Sequence, residues 1–332
     1  MSFMSGSLEG VSIPWQKVMP ARAHQSFVKG LVDQVVVAID GTPQDYYRAV
    51  WVPGTQVLNA LRPGFIDKGR WQELMAAGEG NVAAIRSFEP DARGFAQPVV
   101  YDRFKILTGR LTVQGGPQIH TLKREHRNLI KSMYGKDGAV YAMDFSNLEA
   151  RILLYEYNKH CPDPDLYGAL AKELGYDRTA VKGAVISELY GSSVWALGKH
   201  LGIEGKELYD FVKRVKDHFN TGELLTRVKA QFVATGKVIN RYGRPITIDE
   251  PLDHIFISYY AQSTGADVTM LGFKQVLDKV TEKAPRIRPI YLIHDSIIFD
   301  LPKEDLQHLQ LIKHIKVKGY VQKFPFKLEK IS

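Results

Sequence analysis

Cysteine is almost absent: Cys161 is the only one in 332 residues. That excludes an internal disulfide, and with it the small disulfide-framed secreted scaffolds, and it suits a reducing compartment. Long apolar runs are missing too. None reaches the ~18 residues that a membrane-spanning helix requires. The start, Met1 to Gly10, has neither the basic region nor the apolar core of a secretory signal. No internal repeat or low-complexity tract is present. What remains is an ordinary globular composition, 45% hydrophobic and 24% charged, long enough for one large domain or two to three subdomains. The net charge of +8 favours a polyanionic partner as a weak prior. A cytoplasmic protein with no membrane partner is expected.

The first hundred residues carry few signals. Val35 to Ile39 reads as a strand. Trp51 to Gly64, with two prolines and two glycines, reads as a loop. Asp67 to Arg86 has helical spacing, with Trp71, Leu74, Met75, Val82 and Ile85 at the apolar positions. Beyond residue 100 the pattern sharpens. Thr108 to Val113 is a turn into a strand, Gln114 to Pro117 a loop, Val140 to Phe145 a strand, and Asn147 to Tyr157 a helix. Cys161-Pro-Asp-Pro-Asp165 is a breaker that leaves Asp165 as an N-cap for a helix over 166–174 ending at Gly175. Asp177 caps a helix over 178–190. Helices over 203–219 and 221–234, a hairpin over 236–248, a long helix from Pro251 to about Val280, a hairpin over 291–300, then a helix and a terminal strand complete the chain. Strands, a helical block, then a helix with a hairpin describe an α+β fold with a helical insertion between two parts of one sheet.

Several groups have the composition of chemistry. His294-Asp295-Ser296 sits between apolar runs, at the turn of a buried hairpin. Burying a carboxylate is unfavourable without a partner or metal. Asp144 ends another apolar strand. If the two strands are neighbours, the pair could hold hard divalent cations. Arg178, Lys182, Ile186 and Tyr190 recur every four residues, a helical stripe about 18 Å long. Cations followed by flat side chains suit a nucleotide, although the stripe alone equally describes a solvated basic face running into core. Glu149 falls in a first helical turn, where an acidic residue is favourable in any helix. Arg110 stands on a tight turn. Lys123-Arg124-Glu-His-Arg127 is a basic cluster of the kind that is most often solvated. Gln262 lies on the long helix.

The ordered set Thr108-Gly-Arg-Leu, Asp144-Phe-Ser-x-x-Glu-x-Arg151, Arg178-x₃-Lys182-x₇-Tyr-Gly191, Gln262-x-Thr-Gly-Ala-Asp267 and His294-Asp295 closely resembles the family A (polymerase I-like) DNA polymerases, phage members included. The resemblance spans about residues 100–305. It implies a right-hand polymerase with an antiparallel-sheet palm and helical fingers. The implied layout is an N-terminal region over 1–100 (a reduced thumb or the start of the palm), palm over 101–155, fingers over 156–250 and palm over 251–332. It implies Asp144 and Asp295 as ligands of two Mg²⁺ ions that activate the primer 3′-hydroxyl and neutralise the triphosphate. Arg178 and Lys182 are implied to grip the dNTP, with Lys182 also a proton donor to pyrophosphate. Tyr190 and Gly191 would lie near the nascent pair, and Glu149 against the sugar 2′ position. Arg110 and Gln262 would follow the minor groove, His294 would sit near the primer end, and Lys123 and Arg124 would meet DNA.

The chain also departs from that pattern. Ile186 replaces an aromatic residue, Tyr167 a histidine, and Ser296 the common glutamate. Only about 107 residues precede Thr108, so a short or absent thumb and no proofreading exonuclease are expected. A separate polymerase subunit, an exonuclease or a processivity factor would then be a partner, besides primer–template DNA and dNTPs, as in phage or plasmid replication. His-Asp-Ser also occurs in single-subunit RNA polymerases, which makes that activity one rival. A non-catalytic nucleic-acid-binding subunit is the other.

Overall fold

The computed structural model describes residues 19–40, 43–78, 80–190, 194–249 and 251–332. Gly191, expected near the nascent pair, lies outside them. The chain divides into two compact units, Met1–Tyr47 and Arg48–Ser332.

Among the described residues of the first unit the main element is α1 (Ala21–Asp40). The strand expected at Val35–Ile39 is therefore incorrect. β-Branched residues favour strands only weakly. The apolar positions Phe27, Val28, Leu31, Val32, Val35 and Val36 recur at three and four residues, which is the helical period.

In the second unit the helices are α2 (Val52–Ala60), α3 (Lys68–Ala77), α4 (Val82–Arg86), α5 (Leu148–Glu156), α6 (Leu166–Leu174), α7 (Arg178–Tyr190), α8 (Val194–Leu201), α9 (Gly205–Phe219), α10 (Thr221–Thr235), α11 (Asp253–Lys283) and α12 (Leu306–Gln310). The strands are β1 (Phe65–Ile66), β2 (Val100–Asp102), β3 (Thr112–Gly115), β4 (Ile130–Lys131), β5 (Gly138–Phe145), β6 (Val238–Ile239), β7 (Pro245–Ile246), β8 (Arg288–Ile293), β9 (Ser296–Pro302), β10 (His314–Ile315) and β11 (Phe324–Lys330). Two expectations are corrected. Trp51–Gly64 is mostly α2, because Pro53 falls in its first turn, where no amide donor is needed. Asp67–Arg86 is two helices. Gly78, at φ 63°, ends α3, and Asn81 starts α4 by accepting from the Ala84 amide at 3.1 Å. The helix α8 was not anticipated.

The expected sheet is present, antiparallel throughout, in the order β10-β11-β5-β9-β8. β9 is buried along its whole length, as its apolar run requires. One face meets α11, where Phe145 packs on Phe273 with ring centroids 5.3 Å apart. Gly272 makes room for that ring, since a Cβ there would lie 2.5 Å from Phe145 Cζ. On the other face Val140 and Ile298 join a core with Ile66, Leu74, Ile85 and Phe88. Residues 61–100 thus pack against one end of the sheet, and Asp144 lies toward the other end of β5.

Candidate active site

The sequence left open whether the two carboxylate-bearing strands meet. They are neighbours: Asp144 lies opposite Ser296, and Asp295 immediately precedes it. The Phe145 amide donates to the Asp295 carbonyl at 3.1 Å. Burial, then the charge of Asp295, pushes Asp144 up to about 7, with Lys327 opposing the rise. Burial pushes Asp295 up to about 6. His294 forms the turn at φ 52°, a left-handed conformation that histidine tolerates better than most residues.

That turn hangs from the edge of the sheet, where the outward backbone groups of β8 lack a strand partner. Tyr101 and His120 stand in for one. The Tyr101 hydroxyl accepts from the Leu292 amide and donates to the Leu292 carbonyl, both at 2.8 Å. His120 Nε2 lies 3.0 Å from the same carbonyl. A carbonyl only accepts, so the His120 proton sits on Nε2. The His120 ring stacks on His294 at 5.2 Å and 24°. Burial holds both histidines below the usual range. Tyr101→Phe leaves a buried amide and carbonyl short of a partner. It should lower stability by about 1–3 kcal/mol, read from denaturant unfolding; an unchanged midpoint would remove the clamp from the account.

A cavity of about 360 Å³ opens beside Asp295. Arg110, Glu149, Tyr167, Ile186, Tyr190, Gln262 and His294 also line it, so seven further sequence candidates converge there. Glu149 is held in place by an ion pair with Arg110 and by the Tyr190 hydroxyl, and Arg110 reaches that hydroxyl at 3.2 Å. On α7 the residues Arg178, Lys182, Ile186 and Tyr190 are exposed, whereas Ala180, Val181, Ala184 and Val185 are buried. The stripe is therefore the exposed side of α7: Ile186 and Tyr190 line the cavity, and Arg178 and Lys182 continue the same side beyond it. Asp177 caps α7 through the Thr179 and Ala180 amides at 2.6 and 3.2 Å. Asp165 is the N-cap residue of α6, as expected, but its carboxylate accepts from Arg178 Nε and Nη2 at 2.8 and 2.9 Å rather than from the helix amides. Burial raises the Tyr167 hydroxyl to about 12, so it stays a neutral donor.

Other motif residues are scaffolding. Arg151 is 1% exposed and donates to the carbonyls of Ser146 and Cys161 at 2.9 and 2.8 Å, tying down the loop before α6. Asp267 is buried on Asn240 and Arg244, each at 2.7 Å. The Arg244 guanidinium occupies the space where a side chain on Gly109 (φ 77°) would go. Both features require glycine beside Arg110. Of the basic cluster, Arg124 lies close enough for its charge to act on Asp144, and it pairs with Glu329. Lys123 pairs instead with Glu125 at 3.4 Å and does not line the cavity. Sequence reasoning missed Tyr101, His120, Arg244, Lys327 and Glu329 as site neighbours, and assigned Asp165 only a capping role.

Among the described residues no group of three or more His, Cys, Asp or Glu could hold a metal. The Asp144–Asp295 pair nevertheless fits hard cations. Two desolvated carboxylates disfavour each other's ionisation, and a divalent ion relieves both effects. Mg²⁺ commonly takes one or two carboxylates and completes its shell with water and substrate phosphates.

The fold is that of a polymerase domain. The chain superposes on the POL domain of Pol1 from M. smegmatis, solved with DNA primer-template and dNTP, at a TM-score of 0.58 and 16% identity, over 75% of this chain and 50% of that one. In sequence it is similar to the DNA polymerase of Bacillus phage SP01, 23% identical over 231 residues, covering 60% of this chain and 25% of that protein. It is likewise similar to DNA polymerase I of Pseudomonas aeruginosa, 25% identical over 239 residues, covering 62% and 26%, and to DNA polymerase I of Bacillus subtilis. The chain spans about a quarter of the length of these curated relatives. No family model matches it. No helix among the described residues is long and apolar enough to cross a membrane.

Proposed function

We propose that the chain is a DNA-directed DNA polymerase of family A that extends a primer 3′ end with dNTPs and releases pyrophosphate. The observation that carries this reading is the convergence of Asp295, Glu149, Arg110, Tyr190, Gln262 and His294 on one cavity, with Asp144 beside Asp295 and the Arg178–Lys182 cations on the same helix as Tyr190. The similarity to polymerases over the same region supports it. In this reading residues 101–155 and 251–332 form the palm and 156–250 the fingers.

Asp144 and Asp295 would hold two Mg²⁺ ions, which when bound stabilise charge spread over the transferred phosphoryl group. In this reading Arg178 and Lys182, exposed on the same side of α7 as Tyr190, bind the triphosphate, and Lys182 would protonate the leaving pyrophosphate. Ile186 and Tyr190 contact the nucleotide, Tyr167 offers a neutral hydroxyl to it, and Glu149 fills the space that a 2′-hydroxyl would need. Arg110, Gln262 and His294 lie along the cavity wall where the primer–template minor groove would run. A phage or plasmid replication role fits the phage relative.

Asp165 competes with the triphosphate for Arg178. An exposed pair of this kind contributes about 1 kcal/mol or less. Asp165→Asn should therefore lower the KM for dNTP by up to about fivefold, read from steady-state kinetics at saturating DNA; a raised KM would make Asp165 an orienting partner instead.

Primer extension with and without Mg²⁺, supplying dNTPs and then rNTPs, tests the whole reading. Mg²⁺-dependent extension with dNTPs is expected. Extension with rNTPs alone would install the RNA polymerase reading that Ser296 keeps in play, and no extension with either would leave a binding subunit.

A further inference from the structure

The open face of the sheet carries a basic row that the nucleotide cavity does not use. Resting on the polymerase reading, we infer that this row is the track for the sugar–phosphate backbone of the primer strand in its duplex with the template.

Residues directly opposite one another in an antiparallel pair share a face. Asp144 lies opposite Lys327, so the Lys327 side chain leaves the sheet on the Asp144 face. Pro325, two residues away, shares that face and lies opposite His314 on β10. Lys323 Nζ reaches His314 Nε2 at 3.2 Å. With strands ~4.8 Å apart, the row steps outward from Asp144 to β10 across roughly 10 Å. Arg124 flanks it, 71% exposed, and shares Glu329 with Lys327, which is 68% exposed.

Charge density singles out the same edge. Residues 313–330 contain six lysines and one histidine against a single acid, Glu329. Lys313, Lys316, Lys318, Lys323, Lys327 and Lys330 are all exposed. Glu329, already engaged by Arg124, does little to offset them. A surface of this kind attracts a polyanion through counterion release.

Position identifies which polyanion. β11 and β10 lie on one side of β5, and β9 with the Asp295 turn lies on the other. None of Lys323, Lys327 and His314 lines the cavity beside Asp295. The triphosphate therefore has its own cations on α7, and the row beside Asp144 is left for the strand whose 3′ end must reach the carboxylates.

The test is equilibrium binding of a fluorescent primer–template, by anisotropy across a salt series with EDTA present so that no chemistry occurs. Replacing Lys323 and Lys327 together by Gln should reduce the magnitude of the slope of log Kd against log salt by about 1.8, two phosphate contacts at ~0.9 each. A complementary experiment leaves the protein unmutated. Neutral methylphosphonates at the terminal primer linkages should reduce the slope by a similar amount, whereas the same substitutions in the template strand should not. An unchanged slope for both the double variant and the neutral primer overturns the track. An effect confined to the neutral template assigns the row to the other strand and overturns it as well. A parent protein that binds no primer–template removes the polymerase reading itself, a separate outcome from parent binding with an unaltered slope.

Discussion

Asp144→Asn should abolish nucleotide incorporation, by on the order of 10³-fold or more, while making the protein more resistant to heat at alkaline pH. The activity loss follows from removing one of the two carboxylates that fit the cations. The stability gain follows from the proton affinity of Asp144, raised by burial and by Asp295 to about 7 from 3.8. Between these values the folded chain binds a proton that the unfolded chain releases. Its stability therefore falls as pH rises through that window, and above about 7 the native state carries a buried carboxylate facing another one. Asparagine has no proton to lose. The variant should melt roughly 3–6 °C higher than the parent at pH 8 without divalent metal, and that advantage should disappear toward pH 4. Mg²⁺ should raise the melting point of the parent more than that of the variant, because it binds the native carboxylate pair. Calorimetric scans at pH 4 and 8, with and without Mg²⁺, check each part. A variant that still extends primers, or one destabilised at pH 8, would overturn the assignment.

Glu149→Ala should lower discrimination against ribonucleotides by roughly 10²-fold. The reasoning is steric as well as electrostatic. Arg110 and Tyr190 hold the Glu149 carboxylate from two sides, so it cannot swing away from a 2′-hydroxyl. Alanine leaves that space empty. Tyr190→Phe should act in the same direction but more weakly, since Arg110 remains. Single-turnover incorporation of matched dNTP and rNTP pairs gives the ratio directly. An unchanged ratio in Glu149→Ala would remove Glu149 from sugar selection.

Where local chemistry decides a boundary, the sequence was legible. Asp177 starts α7 and Gly175 ends α6 because each satisfies or relaxes a helix terminus within a few residues. The carboxylate hairpin was legible because apolar residues flank a polar turn on both sides. The readings failed where two periods overlapped. Val35-Val-Val is β-branched, yet it lies in a helical repeat of apolar positions. Pro53 reads as a breaker but sits where a helix accepts proline.

The sequence alone put the candidates forward: Asp144 and Asp295 by their place beside apolar strands, and Glu149, Arg110, the Arg178–Tyr190 stripe, Gln262 and His294 through the family resemblance of the ordered motifs. It could not assign their neighbours. Tyr101 meets Leu292 across 191 residues, and Lys327 lies opposite Asp144 only because β11 returns to pair with β5. The register of a sheet is set by long-range burial and pairing, which no local window contains. Tertiary structure therefore decided that two distant aspartates meet at one end of the sheet, Asp144 on β5 and Asp295 in the neighbouring turn, that Glu149 is fixed rather than free, and that a C-terminal lysine lies opposite Asp144.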